Sequence, residues 1–200
     1  MSTDPRADQD APPEASSAAL GERFRSAVNR MATPVTVVTS DGTAGRVGVT
    51  VSAMSLVSLE PPILLVCIDQ RSPANEIVRG NDSFRVNVLG LRHDHVSDTF
   101  AGRPWPGKDR WDFTCGDWDL GASGGPRLVD AVASIECEVH SVVSAGSHNI
   151  YLGSAVSADE TDREPLIYLK RSYCRAVAEP PTTFPGQPDA QPTYAQTRNS

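Results

Sequence analysis

Residues 47–70, VGVTVSAMSLVSLEPPILLVCIDQ, constrain this chain more than any other stretch. The β-branched residues Val47, Val49 and Val51 open a strand, and the run from Ile63 to Ile68 is apolar throughout, as a buried strand requires. Pro61 and Pro62 mark the entry to that second strand, because proline cannot donate to a ladder and belongs at a strand's start or outside it. Between the two runs the hydroxyls of Thr50, Ser52, Ser55 and Ser58 are too many and too regular for a core strand. A buried hydroxyl without a partner costs roughly 1–3 kcal/mol, so these groups face water, one another, or a ligand rich in acceptors. Composition alone leaves a half-exposed strand with Ser and Thr on its wet side as an equal reading.

The next segment adds a second constraint. Ser72 stands at a natural N-cap with Pro73 at the first helical position, and Gly80 is the expected stop of the helix that ANEIVRG forms. A helix N-terminus offers free N–H groups and a partial positive charge, which suits a phosphate, and Arg71 immediately precedes it. One buried strand therefore joins the hydroxyl run to an anion-ready turn, a cradle suited to a phosphorylated ligand.

The remaining chain reads as short strands and small helices. Residues 1–20, rich in Asp, Pro, Ala and Ser, predict a disordered tail. Phe24, Ala27, Val28 and Met31 share one face of a helix that ends near Thr33-Pro34. A strand at 35–39 turns at Asp41-Gly42 and Gly45 into a strand at 46–52. Residues 84–89 alternate cleanly, 92–100 form a second helix ending at Ala101-Gly102, and 103–113 and 116–126 read as loops. Strand-like runs follow at 131–143, 149–158 and 165–169, the first two joined at Ser144-Ala145-Gly146. Prolines past Ala176 predict a second tail, which places a domain at 21–178 and a Pro-rich tail at 179–200. About six or seven short strands with only small helices predict a mainly β chain, a closed or half-closed β-barrel.

Charge and composition exclude other classes. A net charge of −7 and a pI near 5.0 argue against nucleic acid, whose phosphates need a basic surface. No run of about 18 apolar residues provides a membrane span. The N-terminus lacks the basic start and apolar middle of a secretory signal, so cytoplasm is the expected location. Cys67, Cys115, Cys137 and Cys174 show no C-x-x-C spacing, and Cys67, inside an apolar strand, reads as a small buried hydrophobe. His93 and His95 lie in LRHDHVSD, which reads as a solvated helix face without a third ligand nearby, so no metal is expected.

The segments MATPVTVVTS, GVTVSAMSLVSLEPPILLVCIDQRS, FRVNVL, TFAG and GSHNIYLGSAV, in this order, resemble the short-chain NAD(P)H:flavin reductases, the reductase partners of two-component flavin-dependent monooxygenases. The similarity spans about residues 24–173. It implies an FMN-binding split β-barrel, a homodimer with its flavin near the subunit interface, FAD or FMN as the flavin and NADH or NADPH as hydride donor. It also implies reduced flavin that diffuses to a separate monooxygenase. No G-x-G-x-x-G opens a helix after a strand, so the nucleotide is expected to lie against the flavin in an open groove. The alternative of the same fold is a non-catalytic flavin-binding redox or storage protein. A pyridoxamine-phosphate-oxidase-like enzyme would want a basic phosphate cluster that this chain lacks.

The same resemblance assigns residues. Thr50, Ser52, Ala53, Met54 and Ser55 match the part of the family motif that wraps the flavin ring and ribityl chain, where short hydroxyls supply hydrogen bonds. Asp69, Gln70 and Ser72 match the segment near the flavin phosphate, with Asp69 receiving a ribityl hydroxyl or capping the turn. Phe100, Ala101 and Gly102 match a flavin-contacting triplet, and Arg103 follows to neutralise phosphate charge. Pro34 stands where a glycine is common, so the contacts of Pro34 and Val35 with the flavin edge are expected to differ here. Tyr173 falls where similar chains carry an aromatic near flavin or nucleotide. His148 is the residue singled out for chemistry, docking the nicotinamide nucleotide and positioning it or assisting protonation. Ser147 stands where the family commonly has Asp, which would fix the imidazole's tautomer, so its absence weakens a proton-transfer role.

Overall fold

Runs of alternating or β-branched residues, closed off by glycine and proline, produce twelve strands and three α-helices in the computed structural model, which describes residues 17–178. The N-terminal half holds α1 (Ser17–Val28), β1 (Thr33–Pro34), β2 (Thr36–Gly42), β3 (Gly45–Val51), β4 (Met54–Leu59), β5 (Pro62–Asp69), α2 (Ala74–Asn81), β6 (Ser83–Val88) and α3 (Asp94–Phe100). A 3₁₀ turn (Phe113–Cys115) then precedes β7 (Trp118–Asp119), β8 (Arg127–Leu128), β9 (Ala133–Ala145), β10 (His148–Glu160), β11 (Leu166–Leu169) and β12 (Ser172–Arg175).

Seven strands form one antiparallel sheet in the order β3-β2-β6-β9-β10-β5-β4. Its two outermost strands, β3 and β4, are consecutive in the chain and separated only by Ser52 and Ala53. The three Cα–Cα steps from Val51 to Met54 span at most about 11 Å, well short of the width of a flat seven-stranded sheet with strands about 4.8 Å apart, so the sheet must curl until its edges approach, which makes the expected split barrel. Within that link the Ala53 carbonyl accepts the Cys67 N–H at 3.0 Å, which extends the β4–β5 ladder by one bond. Val38, Val51, Leu64, Val66, Phe84, Val86, Cys137 and Tyr151 fill the interior. A second core, with Val37, Leu89, Val96, Phe100 and Leu128, lies on the other side of β2 beneath α3 and the loop after it. A small sheet, β1-β11-β12, borders this second core.

Several expectations change. The helix expected from about residue 22 begins at Ser17, so residues 17–20 are helical and not part of a tail, and it ends at Val28; the expected tails at 1–16 and 179–200 lie outside the described residues. On the expected apolar face Phe24 is 68 % exposed, and Met31, which lies beyond the helix end, is 62 % exposed. The hydroxyl run contains a separate edge strand, β4, which among the described residues pairs with β5 alone. Gly80 does not stop α2, which runs on to Asn81 and ends at Asp82 in the left-handed region. Gly80 instead makes room, since a Cβ there would meet the Ala44 Cβ at 2.5 Å. Cys67 is half-buried, and burial pushes its thiol pKa up. His93 is no solvated residue: it is half-buried, its Nδ1 accepts the Gly90 N–H at 3.2 Å, and burial pushes its pKa down.

Candidate functional site

The barrel seam positions three groups of the expected residues. At its centre Ser52, Ala53 and Ser55 are exposed and Met54 is half-buried, facing Val66 in the β4–β5 register. Ala53 is held by the Cys67 N–H, which leaves the Ser52 hydroxyl at the surface beside the end of β5.

The second group gathers where β5 ends and β10 begins. Asp69 and His148 are direct partners in the antiparallel register, which brings together residues far apart in sequence. Asp69 caps its own turn: its carboxylate accepts the Arg71 backbone N–H at 2.9 Å and the Arg71 guanidinium at 2.7 and 3.0 Å. The Arg71 hydrogen bonds hold the Asp69 pKa well below the usual carboxylate range, with a smaller contribution from His148. Gln70 crosses to the same hairpin, its N–H donating to the Ser147 carbonyl at 3.0 Å and its amide to the His148 carbonyl at 3.4 Å. The Ser147 hydroxyl lies 2.9 Å from His148 Nδ1. Ser147 therefore makes the orienting contact that an aspartate at this position was expected to make, without its charge. Ser72 closes the turn, its Oγ accepting the Ala74 N–H at 3.3 Å.

The third group surrounds α3. The Thr50 hydroxyl donates to the Ser97 carbonyl at 2.7 Å, which ties β3 to α3 and occupies that hydroxyl. The Tyr173 hydroxyl lies 2.8 Å from the Asp98 carboxylate and 2.9 Å from the Ser97 hydroxyl, and burial is the first cause raising its pKa. Arg103 is not free for a phosphate: it reaches Asp98 at 3.3 Å. Arg71 is paired likewise, yet exposed ion pairs of this kind contribute only about 0–1 kcal/mol, so a bound phosphate can compete for either guanidinium. Pro34 pairs with Ile167, and Thr33 with Tyr168, whose ring packs 5.7 Å from that of Tyr173.

Two expected contacts are enclosed. The Val35 side chain is buried in the second core, and its N–H and carbonyl bind Leu166 and Leu89. Phe100 is buried in an edge-to-face cluster with Phe113 and Trp118 at 4.9 and 5.5 Å. Its role is packing: Gly48 lies flat against it, and a Cβ there would come within 2.4 Å of the ring. The following turn is open, with Ala101 exposed and Gly102 at φ 77, a conformation that glycine adopts freely.

A cavity of about 220 Å³ lies between the Ser72 turn and the segment that follows Gly102. Arg46, Val47 and Gly48 of β3, Ser72 and Pro73 before α2, Ile77 within it, and Trp111 with Phe113 line it. Of the phosphate-end segments that the sequence singles out, it reaches the Ser72 turn, while Ala101, Gly102 and Arg103 do not line it. A cleft of about 390 Å³ bounded by Arg92, His93, Asp162 and the ion pairs Arg163–Asp130 and Arg175–Glu164 contains none of them.

Sequence reasoning missed Asn75. It is 8 % exposed, its amide donates to the carbonyls of Asp69 and Ser72 at 2.8 and 2.9 Å, and its Oδ1 accepts from Asn149 and Tyr151, both at 2.9 Å. An Asn in the first turn of a helix carries no sequence signal for such long-range partners.

The comparisons with known proteins point the same way. The profile of the flavin reductase like domain matches residues 28–176. The FMN reductase (NADH) RutF of Ancylobacter novellus is 40% identical over 161 residues, 80% of this chain and 87% of that protein. Among solved structures, the NADH:FAD oxidoreductase SgcE6 of Streptomyces globisporus C-1027 is 30% identical with a TM-score of 0.71, covering 84% of this chain and 100% of its own. BorF, the flavin reductase component of a bacterial two-component tryptophan halogenase, is 29% identical with a TM-score of 0.69, covering 80% and 99%.

Proposed function

The chain belongs to the flavin reductase family, and on that premise we propose that this oxidoreductase uses NADH to reduce free FMN or FAD and releases the reduced flavin to a separate oxygenase component. The observation that carries the reading is the pairing of His148 with Asp69 across β10 and β5, near the link where Ser52 is exposed and beside the turn where Gln70 and Arg71 are exposed. When bound, flavin and nicotinamide supply the hydride transfer themselves, from nicotinamide C4 to flavin N5. The chain binds and orients them. Ser52, Ser55 and the backbone around Ala53 meet the polar edge of the ring, with Met54 beneath it. The Asp69–Ser72 turn meets the ribityl and phosphate end, and Ala101, Gly102 and Arg103 approach from α3. Pro34 and Tyr173 border the same strip. His148, held by Ser147, docks the nicotinamide as a positioning group.

Steady oxidation of NADH that depends on added FMN or FAD tests the reading, and no flavin-dependent turnover would sink it. In the same assay His148→Ala is expected to lower kcat/KM for NADH about 5–30-fold, the loss of one positioning contact of about 1–2 kcal/mol. A loss near a thousandfold would instead make His148 a proton donor.

We also propose a homodimer. Leu56, Val57 and Leu59 on the β4 edge and Phe24 and Met31 near α1 are exposed, and an edge strand of this kind is normally covered. Sedimentation velocity is expected to show a dimer at micromolar protein; a fully active monomer would refute it. No helix among the described residues is long and apolar enough to cross a membrane, and the proposed setting is the cytoplasm, where NADH is supplied.

A further inference from the structure

We propose that Asp98 sets how loosely the chain holds a flavin phosphate, by keeping Arg103 away from it. The inference rests on the flavin reductase reading, in which Arg103 approaches the phosphate end from the turn after α3, and it adds a residue that opposes this contact. The Arg103 guanidinium donates to Asp98 Oδ1 at 3.3 Å, and the Arg103 N–H donates to the Asp98 carbonyl at 2.8 Å. The two partners differ in freedom. The Arg103 side chain is 67 % exposed, whereas the Asp98 side chain is 25 % exposed and held from a second side. A phosphate can draw the cation away only by breaking the pair, since the carboxylate does not follow.

Tyr173 is the second, independent observation. Its hydroxyl donates to the same Oδ1 at 2.8 Å, and its oxygen lies 2.9 Å from the Ser97 hydroxyl. Burial pushes the Tyr173 pKa up, so the phenol keeps its proton and stays a donor at neutral pH. The Ser97 carbonyl in turn accepts the Thr50 hydroxyl at 2.7 Å. Strands β12 and β3 thus converge on α3 and fix the carboxylate just before the turn at Gly102. An exposed ion pair is worth at most about a fivefold change in an equilibrium, enough to loosen a ligand without excluding it. Flavin that must leave for a separate component has to be held loosely. A like pair, Asp69 with Arg71 at 2.7 Å, stands at the Ser72 turn. Asp69 also caps that turn and faces His148, so its charge cannot be removed alone. At Asp98 it can, because asparagine keeps the acceptor that Tyr173 needs.

The test measures the Kd of FMN and of riboflavin, which lacks the phosphate, by flavin fluorescence with the full chain. Asp98→Asn is expected to tighten FMN about fivefold and to leave riboflavin unchanged. Its KM for FMN falls with no rise in kcat, whereas damage to the site would raise that KM. The gain is lost when Asp98→Asn is placed on Arg103→Gln, because no guanidinium is left to release. Asp98→Ser, which keeps a hydroxyl for Tyr173, gives the same readings if the asparagine variant does not fold. Weaker or unchanged FMN binding in a folded Asp98 variant, an equal gain for riboflavin, or a gain that persists on Arg103→Gln overturns the inference while flavin reduction continues. Absence of flavin reduction in the wild type would instead overturn the underlying reading.

Discussion

Asn75→Ala is expected to lower kcat/KM for flavin by about a hundredfold, the kinetic equivalent of about 3 kcal/mol. The single amide ties the Asp69–Ser72 turn to the strand that carries His148: two carbonyls of the turn on one side, Asn149 and the Tyr151 hydroxyl on the other. Alanine removes all four bonds and takes the Oδ1 acceptor from the buried Asn149 amide, a loss of about 1–3 kcal/mol, while the Asp69 and Ser72 carbonyls keep the backbone N–H groups of Ser72 and Asn75 and the Tyr151 hydroxyl keeps the Asn75 carbonyl and Arg79. The turn is then free to leave the register that sets Asp69 opposite His148. Asn75→Asp separates positioning from mere stability. It keeps an acceptor for Asn149 and Tyr151 but cannot donate to Asp69 and Ser72, so its melting temperature should fall less than that of the alanine variant while its flavin KM rises comparably. Wild-type flavin KM in a folded Asn75→Asp protein would show that Asn75 serves packing alone.

How far the sequence carries is seen by comparing strands. The apolar run of β5 and the Asp-Gly hairpin are local signals, and the structure follows them because each depends only on residues within a few positions. β6 misleads in one respect. Its clean alternation suits a sheet with one wet face, yet Arg85 and Asn87 on that face are buried. The reason is a loop: residues 116–126 fold back over them, and Asn87 bonds the Pro126 carbonyl and the Leu128 N–H at 3.3 and 2.9 Å. Periodicity reports polarity and cannot report that a distant loop supplies the partners.

The candidate site divides in the same way. At the Asp69–Ser72 turn the local rule puts Ser72 at the N-cap and Pro73 at the first helical position; the Ser72 Oγ does accept the Ala74 N–H, but α2 begins at Ala74 with Pro73 at its N-cap. Ser97 and Asp98 carry no such signal, since nothing in DHVSDTF says that Thr50, Arg103 and Tyr173 converge on them. The motif match of Phe100 implies a flavin contact, while its place before Gly102 equally suits a hydrophobic helix end; its ring is buried in the aromatic cluster with Phe113 and Trp118, a direction that a motif does not record.

Arg85→Met should lower the melting temperature by about 10 °C, from a loss of about 3–5 kcal/mol at roughly 2–4 °C per kcal/mol. Arg85 is 3 % exposed, and its guanidinium donates to the carbonyls of Ser123 and Gly125 at 2.7 and 3.1 Å, to the Ser134 hydroxyl at 3.2 Å and to Glu136 at 2.9 Å. Methionine matches the stem but none of the donors, and it leaves the Glu136 carboxylate with only the hydroxyls of Ser123 and Ser157. The penalty combines the partly buried Glu136 carboxylate, which loses its cation, with the two loop carbonyls and the Ser134 hydroxyl that lose a donor. Adding Glu136→Leu to Arg85→Met should therefore recover part of the loss, but not the part due to the two loop carbonyls. The effect should also reach the site. The freed loop carries Trp118, which packs on Phe113 at 5.1 Å and on Phe100 at 5.5 Å, directly before the turn assigned to the flavin. Flavin KM is thus expected to rise in Arg85→Met even well below its melting temperature. A melting temperature within about 2 °C of the wild type would mean that water replaces the guanidinium at little cost and that the loop is held by other contacts.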